Sequence, residues 1–147
     1  MSHVATIDLD IKDLAALKKA ASQLGLEFKE DQKHYKWYGE SYGDYPLPEG
    51  FTKKDLGKCE HALSIPNSPA SYEIGITKRR DGRPGYTLLW DFWQGGYGLQ
   101  AHVGENADRL RQLYSAEVAK KEARKKGFRL VEKKLGNGNI IITGVKI

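Results

Sequence analysis

The sequence predicts an α+β domain. It would have a single, mostly antiparallel sheet with two main helices, in a ferredoxin-like or related sandwich, and an irregular aromatic-rich insertion. Three observations predict it. The run TLLWDFW places bulky side chains on both faces of one strand, as a central position requires. Lys12–Leu24 and Ala107–Ala123 each repeat apolar residues three or four apart, so each offers one buried helical face. Gly and Pro clusters punctuate the intervals as turns. Two helices with one apolar face each are satisfied by a sheet beneath them.

The elements follow in order. His3–Leu9 reads as a first strand through Val4, Ile7 and Leu9, although Ala5 interrupts the alternation. Asp10 or Asp13 then caps a helix whose stripe is Leu14, Leu17, Ala21 and Leu24, with Gly25 at its end. Leu26, Phe28, Tyr35 and Trp37 fit a second strand or an irregular hairpin. Residues 39–71 carry four prolines and several glycines among aromatic side chains. That is too apolar for disorder, so the stretch is expected to be an ordered irregular excursion with a helical turn after Thr52.

Strand pattern resumes at Tyr72 with Ile74 and Ile76, and the turn RRDGRPG leads into GYTLLWDFW as an antiparallel hairpin. On that strand Tyr86, Leu88, Trp90 and Phe92 share one face, and Thr87, Leu89, Asp91 and Trp93 the other. Asn106 is the expected cap of the long helix, whose face is Ala107, Leu110, Leu113, Tyr114 and Val118. Gly127 ends it. Phe128–Leu135 and Ile140–Ile147 close the chain as a hairpin around Asn137-Gly138.

With 147 residues the chain is expected to be one domain over 1–147, with 39–71 as an excursion within it. A two-domain enzyme with a separate cofactor domain is not expected at this length. The net charge of +5 is local, since Arg109–Lys134 holds ten basic and three acidic residues, a balance of +7 against −2 for the rest. Such a stretch steers toward anionic partners or serves as a solvated face. The lone Cys59 forms no internal disulfide and favours a reducing compartment. The opening MSHVATIDLD has no signal-peptide pattern, and no apolar run nears the roughly 20 residues of a membrane span. A cytoplasmic protein with no membrane partner is expected.

Three segments, MSHVATIDLDIKDLAALKKAASQLGL, YEIGITKRRDGRPGYTLLWDFW and AEVAKKEARKKGFRLVEKKLGNGNIIITGVKI, resemble the domain-of-unknown-function 1257 family. That family includes a hypothetical chloroplast reading frame, cyanobacterial proteins and phage-encoded proteins. The resemblance extends over nearly the whole chain and is most specific in the opening and in Ala119–Phe128. It carries no assigned catalytic residues. It implies an accessory or adaptor role beside an ATPase and, through the phage members, interference with a host defence component.

Candidate chemistry is sparse. There is neither a Walker A run nor a G-x-G-x-x-G, and Gly95-Gly96-Tyr97-Gly98 reads as a flexible turn, so no cofactor is expected. Cys59 and His61 are two apart, but a structural zinc site needs four ligands. Only His3, His34 and His102 remain to complete one, and no metal is expected. Asp91, alone in an apolar strand, must be paired or hydrogen-bonded. It could serve a general acid or base role with His61 or His102, or hold a backbone turn. Glu73 is a possible companion carboxylate.

The aromatic group Tyr35, Trp37, Tyr38, Tyr42, Tyr45, Phe51, Trp90, Phe92, Trp93 and Tyr97 reads as core lids or as a binding surface. The leading expectation is a small adaptor that binds another protein through Trp37, Tyr38, Tyr42 and Tyr45 together with Arg79, Arg80 and Arg83. The alternative is a nucleotide- or nucleic-acid-binding protein whose basic helix meets phosphate through Lys120, Lys121, Arg124 and Lys125. A third reading, with enzymatic activity left undecided, is a small hydrolase centred on Asp91, Cys59, His61 and His102.

Overall fold

The strand β5, Tyr86–Asp91, lies between β1, Val4–Ile11, and β4, Ile74–Lys78, in a computed structural model that describes residues 2–41, 43, 45–136 and 139–146. Two further strands, β2 (Glu27–Lys29) and β3 (His61–Ser64), complete a five-stranded sheet in the order β1-β5-β4-β3-β2. Every neighbouring pair is antiparallel. The helices are α1 (Leu14–Gln23), a short α2 (Leu99–Val103) and α3 (Asp108–Lys125). The chain ends in β6 (Phe128–Lys134) and β7 (Ile140–Lys146), which pair only with each other. The single sheet expected from sequence is therefore two, a five-stranded sheet and a separate ribbon.

Both faces of the larger sheet are covered. Ile7, Leu63, Ile74, Ile76, Leu88 and Trp90 meet the buried side of the helices, Leu17, Ala20, Leu99, Val103 and Leu110. Each large aliphatic side chain buried there contributes about 1.5–3 kcal/mol. On the opposite face, Leu89 and Ala62 lie under Tyr35, Phe51 and Cys59, with Trp37 packed against them. Gly75 opens this second core, because a Cβ there would lie 2.2 Å from the Tyr35 ring.

Local signals explain most boundaries. Asp13 caps α1 by accepting from the Ala16 amide at 2.9 Å. Gly25 takes φ +76° just beyond its end. Thr52 opens a 3₁₀ turn at Lys53–Asp55 through a capping box with Asp55. Three expectations change. β3 falls inside the stretch 39–71 that reads as irregular, because four residues between turns give no periodicity. Asn106 does not cap α3; the cap position is Ala107, with no side-chain bond. Val118 is exposed, whereas Glu117 and Lys120 are buried.

The ribbon is held to α3 by its inner face. Lys120 bonds Glu132 at 2.8 Å and Glu117 at 3.1 Å. Gln112 donates to Asn139 at 3.0 Å. Phe128, Leu130, Ile140 and Ile142 are half-buried. The Asn137-Gly138 turn lies outside the described residues. Among the described residues no helix is long and apolar enough to cross a membrane.

Candidate functional site

Asp91 ends β5 on the face covered by the excursion, and it is fully buried. Its Oδ1 accepts the amides of His3 at 3.0 Å and Trp93 at 3.1 Å. Its Oδ2 accepts the amide of Tyr38 at 3.1 Å. A carboxylate engaged by backbone N–H groups in this way is a positioning device, satisfied as buried charge must be. Glu73 acts in parallel, with Oε1 accepting from the Lys36 amide at 2.9 Å and from Gln32 at 3.0 Å. Both acids thus grip the strap of chain that crosses the sheet.

The three residues whose amides meet Asp91 all carry rings, and those rings gather at one end of the sheet. His3 stacks on Tyr45 at 4.8 Å and meets Trp93 edge-on at 5.0 Å. Phe92 lies edge-to-face with Tyr45 at 5.3 Å. Tyr97 packs on Tyr72 at 5.0 Å and stays 47% exposed, and Tyr38 is 43% exposed. This end is a partly exposed aromatic cluster. His3 is the member that the sequence offered only as a metal ligand. Its closeness to Phe92 follows from β1 pairing with β5.

The other residues singled out in the sequence take separate places. Tyr35 and Phe51 are core, and Trp37 is half-buried against it. Burial pushes the Tyr35 phenol up to about 12, and its hydroxyl has no hydrogen-bond partner among the described residues. Tyr42 lies outside the described residues. The Arg79–Arg83 turn and the aromatic end stand at opposite ends of β5, so they do not form one surface.

That turn lines a cleft of about 850 Å³ with Asp8, Asp10 and Phe51. Arg79 pairs with Asp10 at 2.6 Å and also with Asp81, and Arg83 reaches Asp81 at 3.0 Å. The Arg79 guanidinium holds the Asp81 carboxyl well below its usual range. Arg80 lies over the Phe51 ring at 4.7 Å.

The polar candidates do not converge. His61 Nδ1 accepts from the Asp31 amide at 2.9 Å. His102 Nδ1 donates to the Leu24 carbonyl at 2.8 Å. The Cys59 thiol donates to the Gln32 carbonyl at 3.1 Å, and burial pushes it up to about 12, away from thiolate chemistry. No hydrogen bond joins any two of Asp91, Cys59, His61 and His102 among the described residues. Nor is any group of three or more His, Cys, Asp and Glu placed there to hold a metal ion.

The phosphate candidates divide. Lys120 is enclosed by Glu117 and Glu132, and Lys121 bonds Asp13 at 2.8 Å. Arg124 and Lys125 are exposed. Comparison with known proteins returned no matching family model, no matching curated protein and no matching solved structure.

Proposed function

We propose that this chain is a small accessory or adaptor protein that binds another protein through the aromatic end of its sheet. The observation that carries the reading is the set of hydrogen bonds that the backbone amides of His3, Tyr38 and Trp93 donate to Asp91. They fix the backbone beneath the rings, so little conformational freedom is lost on docking. Exposed tyrosines on a fixed backbone are the side chains that dominate protein interfaces.

The resemblance to the domain-of-unknown-function 1257 family supports the adaptor role and makes an ATPase or a host defence component the class of partner. A cytoplasmic location goes with this reading, given the lone Cys59. For the fold, helices on one face of an antiparallel sheet support a sandwich related to the ferredoxin-like class.

The test is site-specific photo-cross-linking. A photoreactive residue at Tyr38 or Tyr97 should capture one specific protein, and the same probe at exposed Lys18 on α1 should not. The purified partner should then bind Tyr38→Ala at least about tenfold more weakly, with little dependence on salt. Equal capture from Lys18, or unchanged affinity of the Tyr38 variant, would sink the proposal.

A further inference from the structure

The outer face of the β6–β7 ribbon consists of Arg129, Val131 and Lys133 on one strand and Ile141, Thr143 and Val145 on the other, as the register dictates. Val131, Ile141 and Val145 are 52%, 47% and 40% exposed. A row of aliphatic side chains so open to water needs a reason. No acid shares the face. Glu132, the ribbon's one acid, points inward to Lys120.

Exposed cations extend along the same end of the molecule: Arg124, Lys125 and Lys126 at the close of α3, then Arg129, Lys133 and Lys134. Among the described residues none of these six has a carboxylate partner. The acids of this stretch are Glu122, just before Arg124, and Glu132, which is engaged by Lys120.

We propose that this ribbon, with the last turn of α3, is a docking surface for double-stranded B-form DNA. Three features select that occupant among polyanions. A two-stranded antiparallel ribbon fits the major groove, which is about 12 Å wide. Arg129 and Lys133 project from one face four residues apart, about 13 Å at strand rise, so they reach phosphates on the two walls. Val131, Ile141 and Thr143 then face base edges, where thymine methyl groups offer apolar contact. The outer face carries no aromatic ring, so the base stacking that holds single strands is missing. The ribbon site is independent of the aromatic end.

The experiment is fluorescence anisotropy with a short labelled duplex of mixed sequence. Affinity should fall about a thousandfold between roughly 50 and 200 mM salt if six phosphates are engaged. The double variant Arg129→Gln with Lys133→Gln should lower the slope of log affinity against log salt by about 2. Lys18→Gln should leave it unchanged. Tyr38→Ala should also bind duplex as the parent chain does, which separates failure here from failure of the adaptor reading.

Circular dichroism melts confirm that each variant is folded. Four results would overturn the proposal: no salt-dependent duplex binding, an unchanged slope in the double variant, equal affinity for a single strand, or capture of polyglutamate in preference to duplex. The last would assign the ribbon to an acidic protein.

Discussion

At the aromatic end of the five-stranded sheet, a carboxylate turns inward to hold backbone amides while rings face outward. Along the ribbon, Glu132 turns inward to hold a lysine while cations and aliphatic groups face outward. Both regions use an inward-turned acid to set what the surface presents, fully buried at Asp91 and partly solvated at Glu132. They differ in support. β5 has a strand on each side and packed cores on both faces. The ribbon has one covered face and, among the described residues, no third strand, an arrangement that is marginal by itself in water. Rigid display therefore belongs to the sheet, and local opening to the ribbon.

The sharpest way to break this contrast is Asp91→Ala. It leaves the amides of His3, Tyr38 and Trp93 without their acceptor in a site closed to water. The expected loss is about 3–5 kcal/mol of global stability, read from urea unfolding followed by tryptophan fluorescence. Asp91→Asn should lose less, about 2 kcal/mol, because one oxygen still accepts while its NH₂ group faces an N–H. If Asp91→Ala unfolds like the parent chain, the carboxylate is not what holds the aromatic end.

That Asp91 needs partners is legible in the sequence, but which partners is not. The amides it holds on His3 and Tyr38 lie 88 and 53 residues away. Short-range signals read correctly: the alternation of β5, the Asp13 cap and Gly25 each depend on a few neighbours. β3 is lost to reading because HALS sits between turn residues and gains its pairing only from β2 and β4. The basic stretch misleads for a related reason. Lys120, Lys121, Arg124 and Lys125 look alike in sequence, and only their places on α3 separate Lys120, enclosed by two acids, and Lys121, paired with Asp13, from exposed Arg124 and Lys125. The spacing of Glu117 and Lys120, three apart on a helix, was the one available hint.

A smaller effect sharpens the contrast from the other side. Burial alone would lower the Lys120 ammonium, but Glu132 and Glu117 outweigh it and hold it above its usual value. Lys120→Met removes the ion pair between α3 and β6. Glu117 keeps Gln23 at 3.0 Å and Lys19 at 3.4 Å, and Glu132 is partly solvated, so the expected loss is about 1–2 kcal/mol. Its location matters more than its size. Hydrogen exchange should speed up in β6 and β7 and leave β4 and β5 unchanged. Uniform loss of protection would mean that ribbon and sheet open as one unit.

The least effect is expected next door, where Lys121 serves the body rather than the ribbon. Its hydrogen bond, followed by that of the Ala16 amide, holds the Asp13 carboxyl below its usual range. A depressed folded value means that the contribution is complete above the ordinary aspartate range. It disappears as pH falls through the folded value. Asp13→Asn keeps a good helix cap and deletes the charge, so it isolates the ion pair. At neutral pH the variant should be less stable by about 0.5 kcal/mol, the scale of a partly exposed pair. As pH falls the two unfolding curves should converge, because protonation gives the parent chain what the substitution gives the variant. A difference that persists in acid would assign the stabilisation to capping geometry, and the charge of Lys121 would then be available to an anionic partner alongside Arg124 and Lys125.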